Sequence, residues 1–437
     1  MRGDIDAPVR RCQRCGLLQP PADFCRRCGA ADPLPVAPEF YERASKGCLK
    51  PLLFSLITLV VACMLGCVLL VLLGSTGLHA RSIAIAFTAA ILPTIAWGSV
   101  ILWLDRTEPE TWELRGLTFL WGSVIAIFIA LVLNTTALSI FSLSAGADVS
   151  EVLTAVIAAP LIEESAKGTL VLLVLWFTRR HIDGLLDGWI LGALVGLGFA
   201  MTENITYLGA AYVSGGAKAL GALFVIRCLI NGMGHAVWTS FTGAAIGWSR
   251  NRHGRGVLRL IVPTGGWAMA VAGHATWNLG GSLLISFIAI GLERMYLFPE
   301  WKALIVGGVL GGLPFTIPPI LVAYIFARLG GEQEERVIRQ YLPIEVHLGT
   351  FSSGEAEVIA DPERRRQSVR SLRERSGPQA ARWQKQFDRA AIRLAFFHYH
   401  ANRGERPFAA DVHRAEQLRW QLASLRWAMR PTAAKST

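Results

Sequence analysis

Eight apolar stretches, each of more than twenty residues and joined by short polar loops, fill most of the chain between residues 51 and 328. A helix needs about 20 apolar residues to cross the hydrocarbon core of a bilayer. Nothing there solvates a free N–H or C=O, so a spanning segment must satisfy its own backbone, as a helix does. The pattern predicts an all-α polytopic membrane protein with spans near 51–73, 82–104, 117–142, 151–178, 185–212, 219–249, 257–290 and 303–328. The seventh stretch is long and glycine-rich, and reads as one tilted helix or as two pieces, which would make nine spans. Charged residues amount to 17% of the 437, against about a quarter in a soluble domain. The shortfall lies in the apolar block, while both ends of the chain are polar.

Cytoplasmic loops are enriched in Lys and Arg. With both termini inside, the inner loops carry Arg106 and Arg115, then Arg179 and Arg180, then Arg250, Arg252 and Arg255. The outer loops hold only Arg81, Lys218, Arg294 and Lys302. This alternation favours eight spans over nine, and predicts a multi-pass protein of the cell membrane with both termini cytoplasmic. The first 40 residues hold charges, cysteines and prolines but no apolar core, so no cleavable signal peptide is expected. From Gly331 to Thr437 there are 19 Lys and Arg against 13 Asp and Glu. A basic tail on an anchored chain faces anionic lipid, so the partner implied is the bilayer and no nucleic acid is expected.

An ionisable side chain at mid-bilayer costs about 2.5–3.5 kcal/mol on insertion scales, yet successive spans carry several. The fourth contains Pro160-Leu-Ile-Glu163-Glu164-Ser-Ala-Lys167. Lys167 follows Glu163 by four residues and Glu164 by three, so on a helix it reaches either carboxylate. Pro160 frees a backbone carbonyl just before the acids. The fifth span contains Phe199-Ala-Met-Thr-Glu203-Asn204. Gly188, Gly192, Gly196 and Ala200 precede Glu203 at intervals of four, a small-residue stripe that lets another helix approach. Asn204 continues the stripe. The sixth span contains Arg227, Asn231 and His235-Ala-Val-Trp-Thr239, and the seventh His274-Ala-Thr-Trp-Asn278. Counted from the span ends, Glu163, Glu164, Glu203, Asn204, His235, His274 and Asn278 share nearly one depth. A lone intramembrane His or Asn is often only an interhelical hydrogen bond, and a Glu–Lys pair can be structural. Several ionisable groups in one plane mark a catalytic site or an ion path.

These elements resemble the PrsW-type intramembrane proteases, a branch of the wider CAAX-protease and bacteriocin-processing superfamily. The family's Glu-Glu-x-x-Lys element is matched by Glu163, Glu164 and Lys167, and its Phe-x-x-x-Glu-Asn element by Phe199, Glu203 and Asn204. Its single histidines in two later spans are matched by His235 and His274. The resemblance covers roughly residues 80 to 325. It implies a protease domain over 51–328 that cuts membrane-anchored proteins in or near their spanning region. For named members of the family it implies an early cut in anti-sigma-factor signalling.

Peptide hydrolysis needs an activated water and a stabilised oxyanion. Two schemes use the same residues. In one, Glu163 or Glu164 is the general base, moderated by Lys167; His235 orients the water, and His274 and Asn278 donate to the oxyanion. In the other, His235 and His274 with Glu163 or Glu164 hold a catalytic zinc that leaves a position for water, and the remaining Glu is the base. Glu203 counts among the catalytic residues, with Asn204 supporting. A proton- or cation-translocating transporter uses the same residue types at mid-membrane, but the sequence shows no internal inverted repeat and the outer halves of these spans are apolar. A non-catalytic membrane scaffold is the third reading.

At the N-terminus, Cys12-Gln-Arg-Cys15-Gly and Cys25-Arg-Arg-Cys28-Gly form two knuckles. Four thiolates so spaced suit a tetrahedral structural zinc, which predicts a zinc ribbon over 1–30 followed by a Pro- and Ala-rich linker over 31–50. A reducing cytoplasm disfavours the disulfide alternative. Residues 329–437 predict a basic, mainly helical cytoplasmic domain. A short β segment is expected near Ile344-Glu-Val-His, and amphipathic helices near 362–376, 379–402 and 411–430. The Arg419-Trp420 and Arg426-Trp427 pairs either cover a small core or lie on lipid.

Overall fold

The computed structural model describes residues 10–11, 18–19, 79–105, 110–177, 182–250, 256–402 and 409–429. The expected first span at 51–73, the linker at 31–50 and Cys12, Cys15, Cys25 and Cys28 lie outside the described residues. The chain divides into two compact units, Cys48–Gly331 and Met1–Gly47 with Glu332–Thr437. In the second of these, strands β1 (Arg10–Arg11) and β2 (Leu18–Gln19) pair antiparallel.

Among the described residues, five helical stretches are long and apolar enough to cross a membrane: Ala80–Leu104, Trp112–Ala145, Leu185–Arg250, Leu258–Arg294 and Glu300–His347. We label the first two α1 and α2. Gly146, at φ 79°, then starts α3 over 147–177, whose central Glu163, Glu164 and Lys167 make it less apolar than these five. The stretch of 66 residues is more than twice what one crossing needs. It comprises α4 (Leu185–Phe224), broken at Gly216 where φ is 65°, a π-helical turn at Val225–Ile230, and α5 (Gly234–Arg250). Leu258–Arg294 is α6, one continuous stretch with a π-helical turn at Trp277–Gly281, so the glycine-rich seventh segment is a single helix and not two. Glu300–His347 is α7.

Close backbone packing places α4 and α5 at the centre. A Cβ at Gly188 would collide with the Gly243 carbonyl, one at Gly192 with Thr239, and one at Gly196 with the His235 carbonyl. Partner numbers fall as the α4 numbers rise, so the two helices run antiparallel and the small-residue stripe is their seam. Gly122 on α2 and Gly198 on α4 make similar backbone contacts with Val195 and Phe119. In the most apolar part of Leu185–Arg250, 89% is buried, against 17% in α1 and in α6. Large apolar side chains on those outer helices, among them Leu92, Ile95, Leu283 and Phe287, face outward, as a lipid-facing surface requires.

In the C-terminal unit, α8 (Ser353–Ala360), α9 (Pro362–Asn402) and α10 (Ala409–Ala428) pack with the end of α7 around Ile338, Leu342, Phe387, Leu394 and Leu422. Gly377, at φ 84°, and Pro378 break α9 between the two expected amphipathic helices. The β segment expected near Ile344 is helix. Ile338, Leu342 and Glu345 fall on one buried stripe at helical spacing, and Glu345 is held inside by Arg419, His398 and Thr350. Alternation of Ile344 and Val346 was too short a signal to outweigh that period. Arg426 binds Glu355 and the Thr350 carbonyl, while Trp427 is exposed.

Candidate active site

Lys167 is the hub of a buried polar cluster at the junction of α3, α4, α5 and α6. Its Nζ lies 2.8 Å from Glu164 Oε1, 3.4 Å from Glu163 Oε2 and 2.9 Å from His235 Nδ1. It also sits 3.8 Å from the centre of the Phe199 ring, a cation–π contact strengthened by the absence of water. Lys167 and Glu164 have 0% exposure, so their charges must be balanced by one another and by their hydrogen bonds. The helical spacing of the Glu-Glu-x-x-Lys element is what turns all three side chains to one side of α3.

Glu164 is fully engaged. Oε1 takes Lys167 and His274 Nδ1, the latter at 3.1 Å, and Oε2 accepts from Thr239 Oγ1 at 2.8 Å. Glu163 has looser surroundings: Asn134 Nδ2 of α2 donates to Oε1 at 3.2 Å, and His274 Nε2 is 3.9 Å from Oε2. Asn134 Oδ1 is buried with no hydrogen-bond partner among the described residues. His274 stacks on Trp238, ring centres 4.6 Å apart at 12°, and meets His235 edge to face at 4.9 Å. Gly273 leaves room for the Trp238 ring, since a Cβ there would strike it.

Two carboxylates flank the two imidazoles in the same manner. A carboxylate only accepts, so His274 presents Nδ1–H to Glu164, which leaves Nε2 as the lone-pair nitrogen directed at Glu163. His235 presents Nε2 to Glu203 Oε2 at 2.7 Å. An ammonium only donates, so the Nδ1 that faces Lys167 is the acceptor, and the two neighbours agree on one tautomer. Ligand-capable atoms of Glu163, His235 and His274 all lie within 4.8 Å of one another. Two imidazoles and a carboxylate, each imidazole held by a second carboxylate, are a donor set that fits a divalent cation. The Lys167 ammonium occupies part of that space, in contact with Glu163 and His235.

The structure thus brings together Glu163, Glu164, Lys167, Glu203, His235 and His274. Two expected members stand apart from the carboxylates. Asn278 Nδ2, in the π-helical turn Trp277–Gly281, donates to the Ala155 carbonyl of α3 at 2.8 Å. Asn204 accepts from Arg227 Nε at 2.9 Å. Sequence reasoning passed over Asn134. Its signal was an amide in the middle of an apolar helix, where every unpaired polar group is costly. Arg227 and Thr239 were noticed without a role.

The family model described as PrsW family intramembrane metalloprotease matches residues 110–305. That segment holds every residue of the cluster, Asn134 and Arg227 included. No curated protein and no solved structure matches the chain.

Proposed function

Since residues 110–305 match the family model described as PrsW family intramembrane metalloprotease, we propose that this chain is a member of that family and hydrolyses a peptide bond in or near the spanning region of membrane-anchored proteins. The observation that carries the proposal is the meeting of Glu163 with two imidazoles, each oriented by its own carboxylate, inside an apolar helical bundle. Glu163, His235 and His274 would hold the catalytic cation, zinc by their chemistry, and the cation would supply Lewis acidity and an ionised water. Glu164 fixes the His274 ring, and Lys167 offsets the charge of the two glutamates. Glu163 is also placed to take a proton from water in the metal-free scheme. The oxyanion role expected of Asn278 in the metal-free scheme is left out of this reading, because its amide donates to the Ala155 carbonyl.

In this reading the membrane domain has eight spans over 51–328, with both termini in the cytoplasm. The N-terminal module over 1–30 is a zinc ribbon on Cys12, Cys15, Cys25 and Cys28; the β1–β2 pairing around the first knuckle supports it. Residues 329–437 form a cytoplasmic helical domain. An anti-sigma factor is the substrate class that the family resemblance favours.

The test is a comparison of membrane proteomes from cells carrying the wild type or Glu163→Gln at equal abundance. One or a few single-pass proteins whose outer domain is released only with the wild type are expected. Identical proteomes under several envelope stresses would overturn the protease reading for this chain.

A further inference from the structure

Arg227 is half-buried within the apolar stretch Val225–Ile230, between α4 and α5, where a guanidinium is costly, and no element of the hydrolytic scheme requires it. Its partners are unusually well defined. Nη2 donates to Glu203 Oε2 at 2.7 Å, Nε donates to Asn204 Oδ1 at 2.9 Å, and the guanidinium carbon lies 4.0 Å from the centre of the Tyr207 ring. All three belong to one turn and a half of α4, so the planar fork is held by two acceptors and a ring carried on one helix. The residue lies within the π-helical turn Val225–Ile230, a widened turn of a kind that recurs at functional sites.

Glu203 Oε2 is shared. It accepts from Arg227 and, at 2.7 Å, from His235 Nε2. A hydrogen bond from a fixed cation orients this carboxylate and keeps its acceptor oxygen turned to the imidazole. The opposite nitrogen, His235 Nδ1, then points at Lys167 and the Glu163–Glu164 pair as a lone pair. We propose that Arg227 is a positioning residue for the reaction: through Glu203 it fixes the His235 tautomer and ring orientation, so that Nδ1 is presented to the catalytic cluster. The proposal rests on the hydrolytic reading of that cluster. It assigns Arg227 a role like that of Glu164, but two bonds removed from the imidazole instead of one.

Partners that orient a metal-ligating histidine are worth about 10–100-fold in affinity, which gives a test without substrate. The probe is Co²⁺ alone, titrated into full-length protein in detergent with Cys12, Cys15, Cys25 and Cys28 changed to Ser, and followed by visible absorption. Three proteins are compared: this background, Arg227→Gln and Arg227→Lys. Thermal unfolding midpoints and the imidazole ¹⁵N signals of His235 are recorded for each. The expected result is a Co²⁺ affinity lower by about 10–100-fold in Arg227→Gln and partly recovered in Arg227→Lys, with the His235 signals showing loss of the single Nε2–H tautomer only in the Gln variant. Unchanged affinity and unchanged His235 signals in Arg227→Gln would overturn the proposal. An affinity loss that follows a fall in unfolding midpoint, with lysine giving no recovery, would also overturn it in favour of a purely structural pairing. Failure of the background protein to bind Co²⁺ would remove the metal scheme, and the His235 signals would then decide the role of Arg227 alone.

Discussion

His274 Nδ1 lies 3.1 Å from Glu164 Oε1, and the other face of the same ring nitrogen pair, Nε2, lies 3.9 Å from Glu163 Oε2. One imidazole therefore separates two glutamates that are adjacent in sequence. Neighbours on a helix point about 100° apart, so the pair cannot do the same work. Glu164 is hydrogen-bonded by Lys167, His274 and Thr239; Glu163 has the Asn134 amide and longer contacts with Lys167 and His274, and in the proposed function Glu164 orients while Glu163 acts.

The separation predicts unequal mutants. Glu163→Gln is expected to abolish cleavage, because it removes a carboxylate that would hold the cation or, in the metal-free scheme, the base. Glu164→Gln keeps an acceptor oxygen for His274 and is expected to reduce cleavage by about 10–100-fold. Release of the outer domain of a substrate identified by proteomics, followed over time in cells, measures both. Equal and complete loss in the two variants would show that the glutamates are not divided in this way.

Lys167 supports a second expectation. With its ammonium removed, two buried carboxylates face each other across the cluster without a countercharge, and breaking a buried pair costs about 3–5 kcal/mol. Lys167→Met should unfold at a markedly lower temperature in detergent. Adding Glu164→Gln to it should restore more than half of the loss, since the second change removes the charge left exposed by the first. Thermal unfolding of the two singles and the double forms the cycle. Additive losses would mean that the ammonium does not stabilise through Glu164.

Much of this site was legible before any coordinates, and the reasons are physical. Glu163, Glu164 and Lys167 are bound by local helical spacing, and Gly188, Gly192 and Gly196 by a period of four, so their faces follow from sequence alone. Asn278 donates to the Ala155 carbonyl, 123 residues away in sequence, a contact that helical spacing from His274 does not reveal. Asn134 and Arg227 enter through contacts 29 and 23 or more residues away in sequence, for which no local period exists. The helix at Ile344 was misread for a related reason: its burial is decided by Arg419, 74 residues from Glu345.

The α4–α5 seam makes a third prediction. A Cβ at Gly192 meets the backbone of Thr239 and Ser240, which cannot yield as a side chain can. Gly192→Ala is therefore expected to destabilise the domain by about 1–3 kcal/mol, and to disturb His235 one turn along. Gly116 on α2 has nothing within 4 Å of its ideal Cβ. There the change to Ala should be neutral or stabilising by up to about 1 kcal/mol, the helix propensity difference. Unfolding midpoints of the two variants in the same detergent compare them directly. A harmless Gly192→Ala would show that the two helices are not in backbone contact.

The C-terminal unit gives a prediction in pH. Burial pushes the Asp388 carboxyl up from 3.8 to about 6, only partly opposed by the hydrogen bond from Gln384 and the charge of Arg365. The folded unit thus binds this proton more tightly than the unfolded chain. Between pH about 4 and about 6 the folded state carries more of the proton, so stability falls as pH rises through that window and levels off above it. The loss is about 3 kcal/mol at most. Asp388→Asn keeps the hydrogen-bonding shape without an acid, and should be more stable than the wild type at pH 7 and little different near pH 4. Hydrogen exchange of peptides from the second half of α9, corrected for the intrinsic effect of pH, reads local opening in the full-length protein. Protection that falls between pH about 4 and about 6 in the wild type and stays level in Asp388→Asn is the expected pattern. Equal pH dependence in both proteins would show that Asp388 is ionised in the fold and that another group sets the stability of this unit.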